Sequence, residues 1–423
     1  MKKKIAVEDL RVGMYVSNLD RSQLVLPHGF WIRSQAQINK LKRYCKHVYI
    51  EDAGNYAYPS SPRPSSGKWP PNSPFTTEQQ KKLEFEMLKV GAAPPDASAE
   101  YQDKTTLDQE IISIRGPYTE ANVLMKTIMA DVRRGEAFDA AHLKNIVAQM
   151  VESTLRNPNA LVCLAQVRRK ADYIALHGLH TCVLALTLGR HQGMEVNDLY
   201  VLGIGTLLHD IGMAKIPLEL LNKARGLSQQ EFELVKNHVR WGTEILQEIK
   251  GIPEGAIDVA RHHHERYDGS GYLNGLEKDQ IPLFGRIGGL VDCYNALTSD
   301  RVYNVATSAH AALKRIYEWH GKLFDSKLVE NFIQCMGIYP IGSVVELNTG
   351  DVGVVISVNR VRRLRPRVRL ALRPDRTPYR PPKTINLMQD LGDEGRPFEI
   401  DRVHEPGAYG INPVDYLPIR VHH

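Results

Sequence analysis

The stretch Gly205–Pro217, GTLLHDIGMAKIP, decides how this chain is read. An apolar helical run ends there in a histidine–aspartate pair, His209 and Asp210, beside a glycine. A buried imidazole next to a buried carboxylate is costly unless each is paired or bound to a cation. Outward from this pair, segments of helical period carry more of the same donors: His177, His238, the adjacent His263 and His264, and Asp292. Imidazoles and carboxylates without thiolates suit iron, manganese, nickel or zinc with positions left open to water. Any one of these histidines, taken alone, reads more simply as a hydrogen-bonded core or surface residue. The set taken together points to a metal centre.

The remainder of the chain sorts around that core. Residues 119–340 are helical in period almost throughout, and Ser228 with Glu231 forms a capping-box signature ahead of one helix. Residues 1–57 read as a small α+β domain, with a helix over SQAQINKLKRYC (34–45) and a strand over HVYIE (47–51). Residues 58–118 read as a linker, because YPSSPRPSSGKWPPNSP is too rich in proline and serine to pack, followed by one helix. Past residue 340 the period changes to two, so residues 341–423 read as a β-rich extension with NTGD (348–351) as a hairpin turn. The expected fold is therefore multidomain and mainly α.

Composition narrows the function classes. Five cysteines in 423 residues, with no CxxC spacing, argue against a disulfide framework or a thiolate zinc site. No apolar run is long enough to cross a bilayer, and we expect a soluble cytoplasmic protein. The net charge of +6 is concentrated in residues 360–383, where Arg363, Arg365, Arg367 and Arg369 alternate with Leu364, Pro366, Val368 and Leu370. That spacing reads as a strand with one solvated arginine face. It lacks the interleaved aromatics of a base-stacking surface, so nucleic acid is not an expected partner.

Four motifs in order, LLHDIG, NHVRWG, HHERYDGSGY and GRIGGLVDCYNALTSDRVY, resemble those of the HD-GYP phosphodiesterases. These are helical HD-superfamily enzymes that hydrolyse the second messenger cyclic di-GMP, and the resemblance covers roughly residues 119–340. Residues 1 to about 70 resemble the small domain of unknown function that often precedes such cores. The resemblance implies two divalent ions, iron foremost and manganese, nickel or zinc as alternatives, held by His177, His209, His238, His263, His264, Asp210 and Asp292. Asp210 would bridge the ions, and a bridging hydroxide would open the diester to linear pGpG, with GMP as a further product. Arg301 would contact substrate, Lys215 would assist catalysis, and Tyr272 would offer a face to guanine beside the turn glycines Gly269 and Gly271. His180 and His262 match no ligand position. Implied partners are cyclic di-GMP, signalling proteins docking through the GYP loop or N-terminal domain, and a second copy in a homodimer.

Three positions depart from the family pattern. Met213 stands where HDxGK has lysine, Leu273 where GYP has proline, and Asn304 where a basic residue often follows the tyrosine. Members with three metals carry a glutamate four residues before the first histidine; here that residue is Tyr173, a poor ligand, which implies a dinuclear site. The alternative function is a cyclic di-GMP receptor or interaction module that keeps its metals and turns over little.

Overall fold

The computed structural model describes residues 2–10, 15–19, 30–31, 47–51, 85–91, 102–167, 173–221, 223, 227–299, 307–359, 362–392 and 395–419. The N-terminal strands β1 (Lys2–Ala6), β2 (Tyr15–Leu19), β3 (Phe30–Trp31) and β4 (His47–Glu51) form an antiparallel sheet in the order β1-β4-β2-β3. β4 is the strand expected over HVYIE. The helix expected over residues 34–45 lies outside the described residues.

Helix α1 (Leu107–Arg134) opens at a Thr106–Gln109 capping box and closes at Gly135 in the left-handed region. It runs unbroken through residue 119, where the sequence reading begins the helical domain. Ile111, Ile114, Tyr118, Ala121, Met125 and Ile128 recur every three or four residues on its buried face. Buried Glu110 is clamped by both Nε and Nη2 of Arg156, at 2.9 Å each, tying α1 to α2 (Ala140–Arg156). Met87, from the segment read as a linker, is fully buried and packs in the same apolar cluster as Phe332 and Ile333.

After the short α3 (Pro158–Leu164) come α4 (Tyr173–His191) and α5 (Val196–Leu208). Residues 175–190 of α4 are buried without interruption. A helix apolar on all sides belongs at the centre of a bundle, and α4 is packed by α5 and by α9 (Leu283–Thr298). Between α5 and α9 lie a 3₁₀ turn (Ile211–Lys215), α6 (Leu218–Leu221), α7 (Gln229–Glu248) and α8 (Glu254–His262). Ser228 and Glu231 cap α7 reciprocally. Helices α10 (Ala309–Glu318) and α11 (Ser326–Met336) close the bundle. Among the described residues, no helix is long and apolar enough to cross a membrane.

The C-terminal strands β5 (Val344–Leu347), β6 (Val352–Ser357), β7 (Arg367–Leu372), β8 (Pro378–Asn386) and β9 (Ile400–His404) form one antiparallel sheet in the order β8-β7-β6-β5-β9. Asn348–Asp351 makes the β5–β6 turn, with Gly350 at φ +84°. Ile341, Ile356 and Leu417 pack into the main helical core, so the sheet is docked on the bundle. The uniform solvated arginine face expected here is not what forms. β7 begins only at Arg367; Arg363 is buried in the preceding turn, and Arg365 reaches the Phe398 carbonyl at 2.9 Å and Glu399 at 2.9 Å.

Candidate metal centre

Five elements deliver donors to one buried point. α4 carries His177, the turn after α5 carries His209 and Asp210, α7 carries His238, and the end of α8 carries His263 and His264. Asp292 comes from α9. The HD turn lies directly on α7: a Cβ at Gly212 would stand 2.0 Å from the His238 carbonyl oxygen, so only glycine permits the approach. A Cβ at Gly289 would likewise stand 2.6 Å from the His263 carbonyl oxygen, which sets α9 against the His263–His264 pair.

The imidazoles are aimed by hydrogen bonds. A carbonyl oxygen only accepts, so a ring nitrogen bonded to one must carry the proton. Nδ1–H of His209 donates to Thr206 O (2.8 Å), that of His238 to Val235 O (2.7 Å) and that of His263 to Ala260 O (2.9 Å). Each thereby turns an Nε2 lone pair inward. Asp210 lies between them, with Oδ1 3.3 Å from His238 Nε2 and 3.6 Å from His263 Nε2, and Oδ2 3.5 Å from His209 Nε2. Asp292 Oδ1 is 2.7 Å from His177 Nε2 and 3.6 Å from His209 Nε2.

Two donor groups result. Asp210, His238, His263 and His264 have ligand atoms within 4.8 Å of one another, as do His177, His209 and Asp210, so Asp210 belongs to both. His209 Nε2, both ring nitrogens of His264, and Asp292 Oδ2 are buried with no hydrogen-bond partner. Buried polar atoms are normally satisfied, and a divalent ion in each group would use His209 Nε2 and one ring nitrogen of His264; Asp292, outside both groups, lies beside His177 and His209. The residues present fit the metals.

Electrostatics match this geometry. Burial alone would raise the Asp210 carboxyl, but His209, His238 and His263 hold it well below the usual range. Asp292 is likewise held low against burial, by His177 and His209. Burial would lower His209, yet Asp210 and Asp292 raise it to about 9. His263 and His264 are lowered, chiefly by burial, and are neutral donors.

The loop after the histidine pair folds back on it. Gly269 has φ +75°, and a Cβ at Gly271 would lie 2.5 Å from Glu265 Cα and from Arg266 N. The Tyr272 ring stacks on His264 with centroids 4.5 Å apart, which covers one of its faces, and its hydroxyl is buried. Glu265 clamps the loop by accepting from the amides of Asn274 (2.7 Å) and Leu276 (3.1 Å). Lys236 Nζ lies 5.3 Å from the Tyr272 ring centroid. Lys215 is exposed at the end of the 3₁₀ turn, while Met213 is buried in the apolar core. Arg301, and the side chain of Tyr173, lie outside the described residues. His180 and His262 belong to neither donor group.

Sequence reasoning missed Glu265, Lys236 and Asn295, the last of which stands against His177 with Nδ2 3.0 Å from Nδ1. A usable signal existed for Asn295 alone: it sits one turn after Asp292 on α9, the spacing that shares a helix face.

Comparison with known proteins places these features in a family. An HD domain model matches residues 145–328, a domain of unknown function (DUF3391) residues 2–143, and a KOW domain associated with HD domain residues 344–392. A protein of Pseudomonas aeruginosa named cyclic di-GMP phosphodiesterase is 32% identical over 410 residues, 95% of this chain and 91% of that protein. A Xanthomonas campestris response regulator named cyclic di-GMP phosphodiesterase is 38% identical over 34% of this chain and 38% of its own length. A Vibrio cholerae protein named 3'3'-cGAMP-specific phosphodiesterase 2 is 30% identical over 43% of this chain and 37% of its own length. The match to the Pseudomonas protein runs through all three regions of the chain, which therefore belongs to the HD-GYP family of HD-domain enzymes and is a metal-dependent hydrolase.

Proposed function

We propose that this protein hydrolyses cyclic di-GMP to linear pGpG at a dinuclear centre. The observation that carries the reading is the pair of donor groups sharing Asp210, in a chain similar along nearly its whole length to a protein named for that activity. His177, His209 and Asp292 would hold one ion; His238, His263 and His264 would hold the other; Asp210 would serve both. When bound, two such ions supply Lewis acidity toward a phosphate oxygen and lower the pKa of water between them. Iron is the first candidate, with manganese, nickel and zinc suited by the same donors.

The chain's own groups set the rest. Three backbone carbonyls orient the rings of His209, His238 and His263 with Nε2 inward before any ion arrives. Arg301 supplies cationic help at the phosphate, and Lys215 is the exposed cation nearest in sequence to the HD pair. Gly269 and Gly271 let the loop close on the centre. Tyr272 is buried, with one face on His264, Lys236 Nζ 5.3 Å from its ring centroid and Phe232 edge-on, so it walls the centre rather than offering guanine an exposed face. Two ions suffice for one hydrolysis, so pGpG is the first product and GMP follows more slowly.

The test is full-length protein loaded anaerobically with iron or manganese and assayed against cyclic di-GMP and 3'3'-cGAMP, resolving pGpG from GMP. Cleavage of cyclic di-GMP to pGpG is expected. Binding without cleavage under both loadings would replace this reading with that of a metal-containing receptor, and preference for 3'3'-cGAMP would reassign the substrate.

A further inference from the structure

We propose that Tyr272 is a positioning residue for the metal centre, its ring holding the ligand His264 in place by stacking rather than by a hydrogen bond. His209, His238 and His263 are each aimed by a backbone carbonyl. His264 is 1% exposed, and neither of its ring nitrogens has a hydrogen-bond partner among the described residues. Its ring is set among aromatic rings instead. Tyr272 lies against it with centroids 4.5 Å apart and planes at 21°, while His263 at 4.1 Å and His238 at 5.0 Å meet it at 44° and 90°. Those two belong to the same donor group as His264, and Tyr272 stands outside it.

The loop is built to keep that ring flat on its partner. The Tyr272 amide donates to the His264 carbonyl oxygen at 3.2 Å, so backbone as well as ring joins the two residues. Gly271 passes so close that a Cβ would stand 2.5 Å from that same oxygen, and a side chain there would lift the loop. Glu265, next in sequence after His264, accepts from the amides of Asn274 and Leu276 beyond the tyrosine. Phe232 meets the Tyr272 ring edge-on at 6.4 Å, and Lys236 Nζ stands 5.3 Å from its centroid. The Tyr272 hydroxyl has no partner among the described residues, so the plane of the ring and not its polar tip makes the contact. An imidazole without a hydrogen bond exchanges rotamers unless packing stops it, and apparent metal affinity scales with the fraction of molecules in the ligating rotamer. The stack raises that fraction. Because His264 belongs to one donor group only, the loop tunes one ion position and not the other.

This rests on His264 being a ligand, and the experiment separates the two claims. Metal-free full-length protein is titrated with Mn²⁺, with free ion followed by electron paramagnetic resonance and folding by circular dichroism. A stacked aromatic pair supplies about a 2–10-fold preference beyond its burial. Tyr272→Leu should weaken one class of site by that factor and leave the other unchanged. Tyr272→Phe, which keeps the ring and drops the unpartnered hydroxyl, should titrate like wild type. Gly271→Ala, which keeps the tyrosine and every ligand but pushes the loop away, should weaken the same class, and His264→Ala should abolish it. If His264→Ala retains both classes, the assignment of His264 as a ligand fails. If it loses one while Tyr272→Leu titrates like wild type, the inference about Tyr272 is overturned. Weakening of both classes alike by Tyr272→Leu, or equal weakening by Tyr272→Phe, also overturns it. Should Tyr272→Leu fail to fold, Gly271→Ala decides alone, and unchanged binding overturns the inference.

Discussion

Loading the centre with a divalent ion should release a proton, and apparent affinity should climb as pH rises toward 9. In the metal-free protein burial would lower His209, but the Asp210 and Asp292 carboxylates outweigh it and raise the imidazole to about 9. A protonated imidazole has no lone pair to offer. At pH 7 the protonated form then dominates by about two orders of magnitude, and binding works against about 3 kcal/mol. Apparent affinity should rise about tenfold per pH unit from 7 to 9 and level off above. Calorimetric titration with Mn²⁺ in two buffers of different ionisation enthalpy reads this directly, with close to one proton released at pH 7 and little at pH 9.5. Flat affinity across that range, without proton release at pH 7, would refute the claim that the carboxylates hold His209 protonated. The same proton affects stability. A pKa raised on folding stabilises fully below the ordinary value near 6.5, and the contribution is lost as pH rises through about 9. Metal-free protein should therefore melt lower at pH 9.5 than at pH 6.

Other substitutions test other parts of the centre. Asp210→Ala removes the donor common to both groups, so turnover should fall to background and metal content should drop, with helical circular dichroism retained. Glu265→Ala leaves the amides of Asn274 and Leu276 without their acceptor, at about 1–3 kcal/mol; hydrogen exchange at those two amides should accelerate while exchange in α4 is unchanged. Arg301→Ala should raise KM for cyclic di-GMP at constant metal stoichiometry, and an unchanged KM would remove Arg301 from the site. Acid should unfold the metal-free protein as pH falls below 4, because Asp210 and Asp292 have pKa values depressed by the native histidines and their stabilisation is lost as they protonate. A melting temperature constant from pH 5 to 2 would contradict that.

What the sequence revealed, and what it hid, follows from the range of the forces involved. The sequence reading begins the helical domain at residue 119, just past the Gly116–Pro117 dipeptide. Yet the apolar spacing from Ile111 to Ile128 continues across the dipeptide, and burial of that face keeps α1 whole. Burial on one side of a helix sums over many residues, while a proline acts at one. Arg363 shows the converse. Alternation over 363–370 suggested one strand, but Arg363 precedes β7 and is buried, because its surroundings are set by where the sheet meets the bundle.

The same contrast divides the ligands. His209, His238 and His263 each donate to the carbonyl three residues before them, Thr206, Val235 and Ala260. Their orientation is local, so a short motif around each carries most of what aims it. His177 also meets a distant group: the Asn295 amide lies 3.0 Å from its Nδ1, from 118 residues away. Within its own segment nothing separates His177 from His180, one turn on, and only resemblance to a family chose between them. A ligand oriented by its own helix is readable in sequence. The contact with Asn295 is made only when α9 packs on α4, so no short motif around His177 announces it.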